Sequence, residues 1–245
     1  MVTIKKRTRD FYFYTLFGVP YEFMAACTDE DRIILCAHRA YADLSRTISY
    51  VRSSTWLEKN KKKQEARDFI DVKASFKKTV KEYLATEIIK LHYCKTRTEF
   101  DNWHGGCCAE IKGYANQTKG LLREVFTYGQ AQKWVNMTLK YMDISGFWDE
   151  ANWFVRLRQF MHVPVDSYIL KASSGEDIAL PRINGTKELY HKDSTKKWSN
   201  WGEREYTDFV ENLRGKVENL ADWEDGHWIE TAWDLSSMNP ENQKK

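Results

Sequence analysis

Two polar residues in apolar surroundings, a lysine and an aspartate about thirty positions apart, are the strongest candidates for chemistry in this sequence. Lys133 lies near the start of the apolar segment YGQAQKWVNMTLKYM, and Asp166 follows a proline in HVPVDSYIL. A neutral lysine amine is a nucleophile that can form a Schiff base, and a fixed carboxylate can stabilise a cation that develops beside it. The pair therefore predicts covalent catalysis through an imine.

The segment that contains Lys133 has the periodicity of a helix over residues 130–142. Its apolar stripe, which implies burial over much of the helix, consists of Trp134, Met137, Thr138, Tyr141 and Met142. Lys133 would lie in the first turn, where the positive end of the helix dipole disfavours an ammonium group. In the alternative interpretation, Lys133 extends along the helix surface to solvent and has no chemical role.

Asp166 is predicted to begin the next helix. Pro164 disfavours helical geometry at Val163, so the chain turns there and Asp166 can accept hydrogen bonds from the first backbone N–H groups of a helix that continues through Leu170. This capping role contributes about 1 kcal/mol and requires no chemistry. The same carboxylate could also face a cation in a cleft, so both roles remain open.

The lysine helix, a second lysine at position 140 and the VPVD helix start together resemble the catalytic core of the helix-hairpin-helix DNA glycosylases. They are most similar to the archaeal 8-oxoguanine glycosylase branch, over residues 128–170. The resemblance implies a DNA glycosylase and AP lyase with Lys133 as the catalytic nucleophile and Asp166 as its partner. The chain departs from the family at the hairpin, where Gly129 alone matches the glycine-rich turn, and at Met137, where the archaeal enzymes have an aromatic residue.

The resemblance also implies a site for a nucleotide flipped out of double-stranded DNA that contains a damaged or modified base. The candidates for contact with the base are Trp223, Trp228, Met137 and Trp153, and the candidates for contact with the DNA backbone are Gly129, Gln130 and Lys140. No cofactor, no metal and no obligatory protein partner is expected. The target base stays open between oxidised guanine, another damaged base and a modified base in foreign DNA such as that of a phage, so the setting is either repair or antiviral defence.

Two other functions fit parts of the sequence. Arg156 and His162 have the loose spacing of the metal-free HEPN ribonucleases, in which case Lys133 and Asp166 would be structural. Basic runs at residues 5–9 and 59–63 are either solvated loops or phosphate contacts, and with the aromatic residues they also fit a helical nucleic-acid-binding module without catalytic activity.

The elements that would position these residues are mainly helical. Besides residues 130–142, helical periodicity runs through residues 32–51, 66–93, 99–114, 151–161 and 201–220, with Asp29 or Asp31 as the cap of the first. FYFYTLF near Phe11 alternates like a strand but also fits a buried helix or a loop, and residues 171–188 are the clearest loop. We expect a mainly α fold of two helical lobes around a cleft, in one glycosylase-like domain over residues 1–245 with lobes at 1–120 and 121–245.

Composition is consistent with an ordered protein in a reducing compartment. The 245 residues are 14% aromatic and 30% charged, enough to fold around a sizeable core, and the net charge of +3 permits an acidic partner without requiring one. The five cysteines are odd in number and irregularly spaced, no apolar run reaches the length of a membrane span, and no secretory signal opens the chain. We therefore expect a cytoplasmic protein that does not interact with membranes.

Overall fold

The computed structural model describes residues 6–235, with side chains described for residues 6–227, and within this range the protein is built mainly from helices. The α-helices are α1 (Lys6–Phe17), α2 (Tyr21–Ala26), α3 (Asp29–Leu44), α4 (Ser54–Asn60), α5 (Gln64–Lys90), α6 (Arg97–Gln117), α7 (Tyr128–Ser145), α8 (Asn152–Arg158), α9 (Ser167–Ala172), α10 (Glu203–Arg214) and α11 (Leu220–Leu235). Two short antiparallel strands, β1 (Leu180–Pro181) and β2 (Lys187–Glu188), pair with each other. The prediction of a mainly α fold is confirmed.

Helix α7 lies at the centre of the fold. It packs against α3 and α6, and α3 packs in turn against α5. Most of its 18 residues are buried, including Trp134, whose indole N–H donates to the Ala37 carbonyl of α3 at 2.9 Å. Because α7 is enclosed, its polar side chains must find hydrogen-bond partners inside the protein.

Side-chain caps determine where the helices around the centre begin. Thr127 and Gln130 form a capping box that starts α7 at Tyr128, ahead of the predicted start at Gln130. Lys133 therefore lies in the second turn and not in the first turn as predicted. The helix dipole acts on it more weakly than expected, because that field is concentrated in the first turn. Thr28, rather than Asp29 or Asp31, caps α3 by accepting a hydrogen bond from the Asp31 backbone N–H.

Three predicted segments have different boundaries or structure. Helix α3 ends at Leu44, and the residues that follow form a 3₁₀ turn at Ser45–Thr47. The segment near Phe11 belongs to helix α1, because Phe13 and Phe17 are four residues apart and both enter the core from one helical face. The predicted loop at residues 171–188 contains the end of α9 and both short strands.

One connected apolar core runs through the part of the chain that is described. It joins Phe13 of α1, Trp134 of α7 and Phe209 of α10, so residues on both sides of position 120 belong to the same cluster. Helix α11 packs against α9, which brings the C-terminal part of the described chain next to the helix that Asp166 caps. None of the helices within residues 6–235 combines the length and apolar character needed to cross a membrane.

Candidate active site

Lys133 and Asp166 meet as an ion pair. Lys133 Nζ lies 2.7 Å from Asp166 Oδ2 and also donates a hydrogen bond to the Pro164 carbonyl oxygen at 3.1 Å. The side chain of Lys133 is 5% exposed and that of Asp166 is 17% exposed. Lys133 therefore does not extend to solvent, in contrast to the structural alternative raised by the sequence.

Asp166 also caps α9, as predicted. Its Oδ1 accepts hydrogen bonds from the backbone N–H groups of Tyr168 and Ile169, at 2.9 and 3.1 Å. One carboxylate oxygen thus fixes the start of α9 while the other receives Lys133. With both oxygens engaged by strong donors, the orientation of the carboxylate is fixed.

Two amide side chains of α7 hold the segment that carries Asp166. Gln132 donates to the Val165 carbonyl at 3.2 Å and accepts from the Val165 N–H at 3.3 Å. Asn136 donates to the Val163 carbonyl at 3.0 Å. The position of Asp166 relative to Lys133 is consequently set by contacts to the backbone before it, and not by the ion pair alone.

The ion pair lies in the wall of a cleft with a volume of about 660 Å³. The walls come from α1, α3, α7, α9 and α11 and from the 3₁₀ turn at Ser45–Thr47, with Pro164 and Trp198 among the other residues that line them. Sites for small molecules and cofactors typically measure roughly 300–1,000 Å³, so the cleft can accept a group as large as a nucleoside.

Positive and negative side chains are mixed around the cleft. Arg39 pairs with Asp43 at 2.8 Å, and Lys140 pairs with Glu224. Burial raises the pKa of Glu224, and the positive charge of Lys140 opposes this effect. Arg46 is exposed and forms no ion pair with any residue whose side chain is described, so it is available to an anionic group that enters the cleft.

Met137 and four aromatic residues, one of them Tyr141 of the predicted apolar stripe, line the cleft. Met137, which was predicted to contact the base, lies one helical turn after Lys133 and faces the cleft. Tyr12, Tyr168 and Trp198 were not singled out from the sequence. Trp198 reaches the cleft because the turn at Trp198–Asn200 packs against the start of α7, a contact between distant parts of the chain. Together with Met137, these rings supply apolar surface against which a planar base can stack.

Two of the three tryptophans predicted from the sequence to contact a base lie away from the cleft. Trp223 is buried and donates its indole N–H to Glu176 at 3.0 Å, and Trp153 stacks on His92 with ring centroids 4.1 Å apart. Neither lines the cleft. The side chain of Trp228 lies outside the described residues.

Gly129 and Gln130 have internal roles instead of the predicted contact with the DNA backbone. The Gly129 N–H donates to the Trp201 carbonyl at 2.9 Å, and a Cβ at this position would overlap the Trp198 carbonyl oxygen. Gln130 is buried and donates to the Thr47 carbonyl while it caps α7. Their polar groups are thus already occupied, and we correct the prediction for both. Lys140, the third backbone candidate, does line the cleft.

Arg156 and His162, the residues of the ribonuclease alternative, are not brought together. Arg156 donates to the backbone carbonyls of Cys94 and His92, each at 3.1 Å. His162 is buried and lies 2.7 Å from Asp101, beside a separate pocket that Arg156 does not line. The spacing in the sequence therefore does not produce a shared site.

A buried polar network connects His162 to α7. In the tautomers that fit the contacts, the Tyr206 hydroxyl donates to His162 Nδ1 at 3.0 Å and accepts from Asn136 Nδ2 at 2.8 Å. Asn136 Oδ1 accepts from His104 Nε2 at 2.9 Å. Burial lowers the pKa of both histidines, which favours their neutral forms. Asn136 thus joins this network to the Val163 carbonyl near the ion pair.

The chain matches no protein-family model, no curated protein and no solved structure. The resemblance to DNA glycosylases therefore rests on residues 128–170 of the sequence. Across the described side chains, no group of histidine, cysteine and carboxylate residues is arranged to hold a metal ion. The ion pair and the cleft around it are the structural features that bear on function.

Proposed function

We propose that this protein is a DNA glycosylase with AP lyase activity, which excises a damaged or modified base from double-stranded DNA in repair or in defence against modified foreign DNA. One observation carries the proposal: Lys133 Nζ lies 2.7 Å from Asp166 Oδ2 in the wall of a cleft of about 660 Å³. Desolvation of two buried charges can exceed their attraction, so a buried ion pair is weak evidence of a purely stabilising role. Its location in a cleft favours a chemical one.

Asp166 provides the base that a lysine nucleophile requires. Its carboxylate takes a proton from the Lys133 ammonium, and the neutral amine attacks C1′ of the flipped nucleotide. The glycosidic bond breaks, and the base leaves with the electron pair of that bond and takes up a proton. Ring opening then breaks the C1′–O4′ bond while one proton passes from the Lys133 nitrogen to O4′, which leaves a protonated imine on Lys133. Loss of a C2′ proton finally expels the 3′ phosphate and nicks the strand.

The cleft offers the contacts that a flipped nucleotide needs. An enzyme cannot reach the glycosidic carbon inside a duplex, and extrusion of the nucleotide costs a few kcal/mol. Stacking on aromatic side chains contributes about 1–3 kcal/mol per base, and Trp198 and Tyr12 line the cleft. Arg46 is available in the same wall for a phosphate or another anionic group.

Strand cleavage tests the proposal. A set of duplexes, each with one modified base or one abasic site, is incubated with the protein and analysed on denaturing gels. We expect the wild type to nick the abasic duplex and at least one modified duplex, and Lys133→Gln to nick none. Lys140→Gln removes a lysine from the same helix and cleft, so it is expected to retain cleavage with weaker binding. Equal cleavage by the wild type and Lys133→Gln, or cleavage by neither, would refute the proposal.

A further inference from the structure

Three lysines of α5 form a row on one face of that helix, away from the proposed active site. Lys73, Lys77 and Lys81 are spaced four residues apart, so they are neighbours on the helix surface. At a rise of 1.5 Å per residue, adjacent members are about 6 Å apart along the axis and the row is about 12 Å long. Considering the side chains of residues 6–227, none of the three forms an ion pair with a carboxylate, and the nearby Glu82 pairs with Lys78 at 3.7 Å.

Two of the three lysines in the row lie over aromatic rings. Lys73 Nζ lies 4.0 Å from the centre of the Tyr50 ring, and Lys77 Nζ lies 5.5 Å from the centre of the Tyr41 ring. The two tyrosine hydroxyls are hydrogen-bonded to each other at 2.6 Å. All three lysines are half-buried, so their stems are already ordered and less conformational entropy remains to be lost on binding.

The positive charges of the row act on one another and on a histidine beside them. The pKa of Lys73 is lowered by burial and by the charge of Lys77. That of Lys81 is lowered by burial and by Lys77, with Glu82 opposing the shift. The pKa of His38 on α3 is lowered by burial and by Lys81 and Lys77. An anionic partner would relieve this repulsion.

One stretch of chain connects the lysine row to the cleft. Tyr41 and Tyr50 contact the row, while Arg46 and Thr47 between them line the cleft. Three peptide units span at most about 11 Å, so Tyr50 is close to the cleft wall at Thr47. On α3, the exposed His38 lies near enough to Lys77 and Lys81 to feel their charge, and the next residue, Arg39, lines the cleft. A rod as wide as a DNA duplex could therefore touch both.

Several members of the basic runs noted in the sequence are engaged in ion pairs. In the first run, Lys6 and Arg9 both pair with Glu22, at 3.7 and 3.4 Å. In the second, Lys61 pairs with Glu58 at 3.2 Å. The lysine row combines unpaired charge with ordered stems, which these pairs lack.

We propose that Lys73, Lys77 and Lys81 bind the sugar-phosphate backbone of double-stranded DNA where it extends beyond the cleft. The choice of DNA as the partner rests on the proposed function. The contact is electrostatic and independent of sequence, since ammonium groups on this face meet phosphates rather than base edges. It would fix the position of the duplex while one nucleotide enters the cleft.

The salt dependence of binding to an undamaged duplex tests this surface. The full chain is compared with a variant that carries Lys73→Gln, Lys77→Gln and Lys81→Gln, and with a control that carries Lys95→Gln, Lys112→Gln and Lys119→Gln, three exposed lysines outside the row. Each neutralised phosphate contributes about 0.9 to the slope of log affinity against log salt, so the row variant should lose about 2.7 from this slope. Between about 50 and 200 mM salt, wild-type affinity should then fall about 40-fold more than that of the row variant, and the control should behave as the wild type.

Equal slopes for the row variant and the control would overturn the proposal, and so would a wild type that does not bind the duplex. Loss of binding to anionic lipid vesicles with an unchanged DNA slope would assign the row to a membrane surface instead and would overturn it too. Melting temperatures verify that both triple variants are folded. Cleavage of abasic DNA is measured in parallel, so a protein that binds DNA through the row but does not cut it refutes the proposed function and leaves this surface established.

Discussion

Exchange of the Asp166 carboxylate for an amide should reveal how strongly the negative charge of Asp166 stabilises the buried ammonium group of Lys133. Asp166→Asn keeps an oxygen that can accept from the Tyr168 and Ile169 N–H groups, so the cap on α9, worth about 1 kcal/mol, is retained. What is lost is the negative charge 2.7 Å from Lys133 Nζ. The variant therefore isolates the electrostatic part of the interaction.

The expected loss of folding stability in Asp166→Asn follows from the burial of the ion pair. Removal of one partner from a buried ion pair costs about 3–5 kcal/mol, because the other charge stays desolvated. Asp166 is 17% exposed and Lys133 keeps its hydrogen bond to Pro164, so we expect the lower end, about 3 kcal/mol. For a domain of this size, about 2–4 °C of melting temperature accompany each kcal/mol, which gives a decrease of about 6–12 °C.

Removal of both charges should restore most of the stability. In Lys133→Met with Asp166→Asn no desolvated charge remains, and buried ion pairs replaced by uncharged side chains are often neutral or more stable. We expect the double variant to unfold within about 1 kcal/mol of the wild type and to have no cleavage activity. The double variant would thus distinguish the contribution of the ion pair to stability from its role in catalysis.

Urea denaturation followed by circular dichroism measures these differences. Asp225→Asn is the matched control, because Asp225 is a cleft carboxylate that is 49% exposed, and its loss should cost less than about 1 kcal/mol. If Asp166→Asn is as stable as the wild type, the Lys133 charge is not desolvated. A double variant as unstable as the single one would attribute the loss to a displaced α9 and would refute the electrostatic explanation.

Three further outcomes are expected. Gly129→Ala should lower the free energy of unfolding by about 1–3 kcal/mol in denaturant titrations, because a Cβ overlaps the Trp198 carbonyl; an unchanged value contradicts the close packing. Asn136→Ala should cost about 1–3 kcal/mol in the same assay, since His104 loses its acceptor. Burial lowers the pKa of His104 and His162, so the unfolded chain binds more protons below about pH 6.5, and stability should fall there by about 1.4 kcal/mol per pH unit for each proton taken up. Equal stability at neutral and mildly acidic pH would contradict the lowered pKa values of the two histidines.

Features set by nearby residues could be predicted from the sequence. The Asp166 cap is one of them, since its carboxylate reaches N–H groups two and three residues ahead. The long helix α5 is another, because its apolar positions recur with helical spacing. The start of α7 could also have been found, since Thr127 and Gln130 have the spacing of a capping box.

Features that depend on distant packing could not be predicted in this way. Trp198 lines the cleft because its turn contacts the start of α7, and Arg46 lines it because α3 ends beside α7. Trp223, in contrast, was predicted to contact a base but is buried in the protein. A tryptophan serves equally well in a core or in a binding site, and the hydrogen bond from its indole to Glu176 cannot be anticipated from the sequence.

The imine chemistry proposed for Lys133 is tested most directly by borohydride reduction of the protein on a duplex with one abasic site, followed by peptide mapping in a mass spectrometer. An abasic site removes the question of which base is recognised. We expect a covalent adduct on Lys133, absent from Lys133→Gln and retained in Lys140→Gln. An adduct on a different lysine, or none at all, would contradict the proposed role of Lys133.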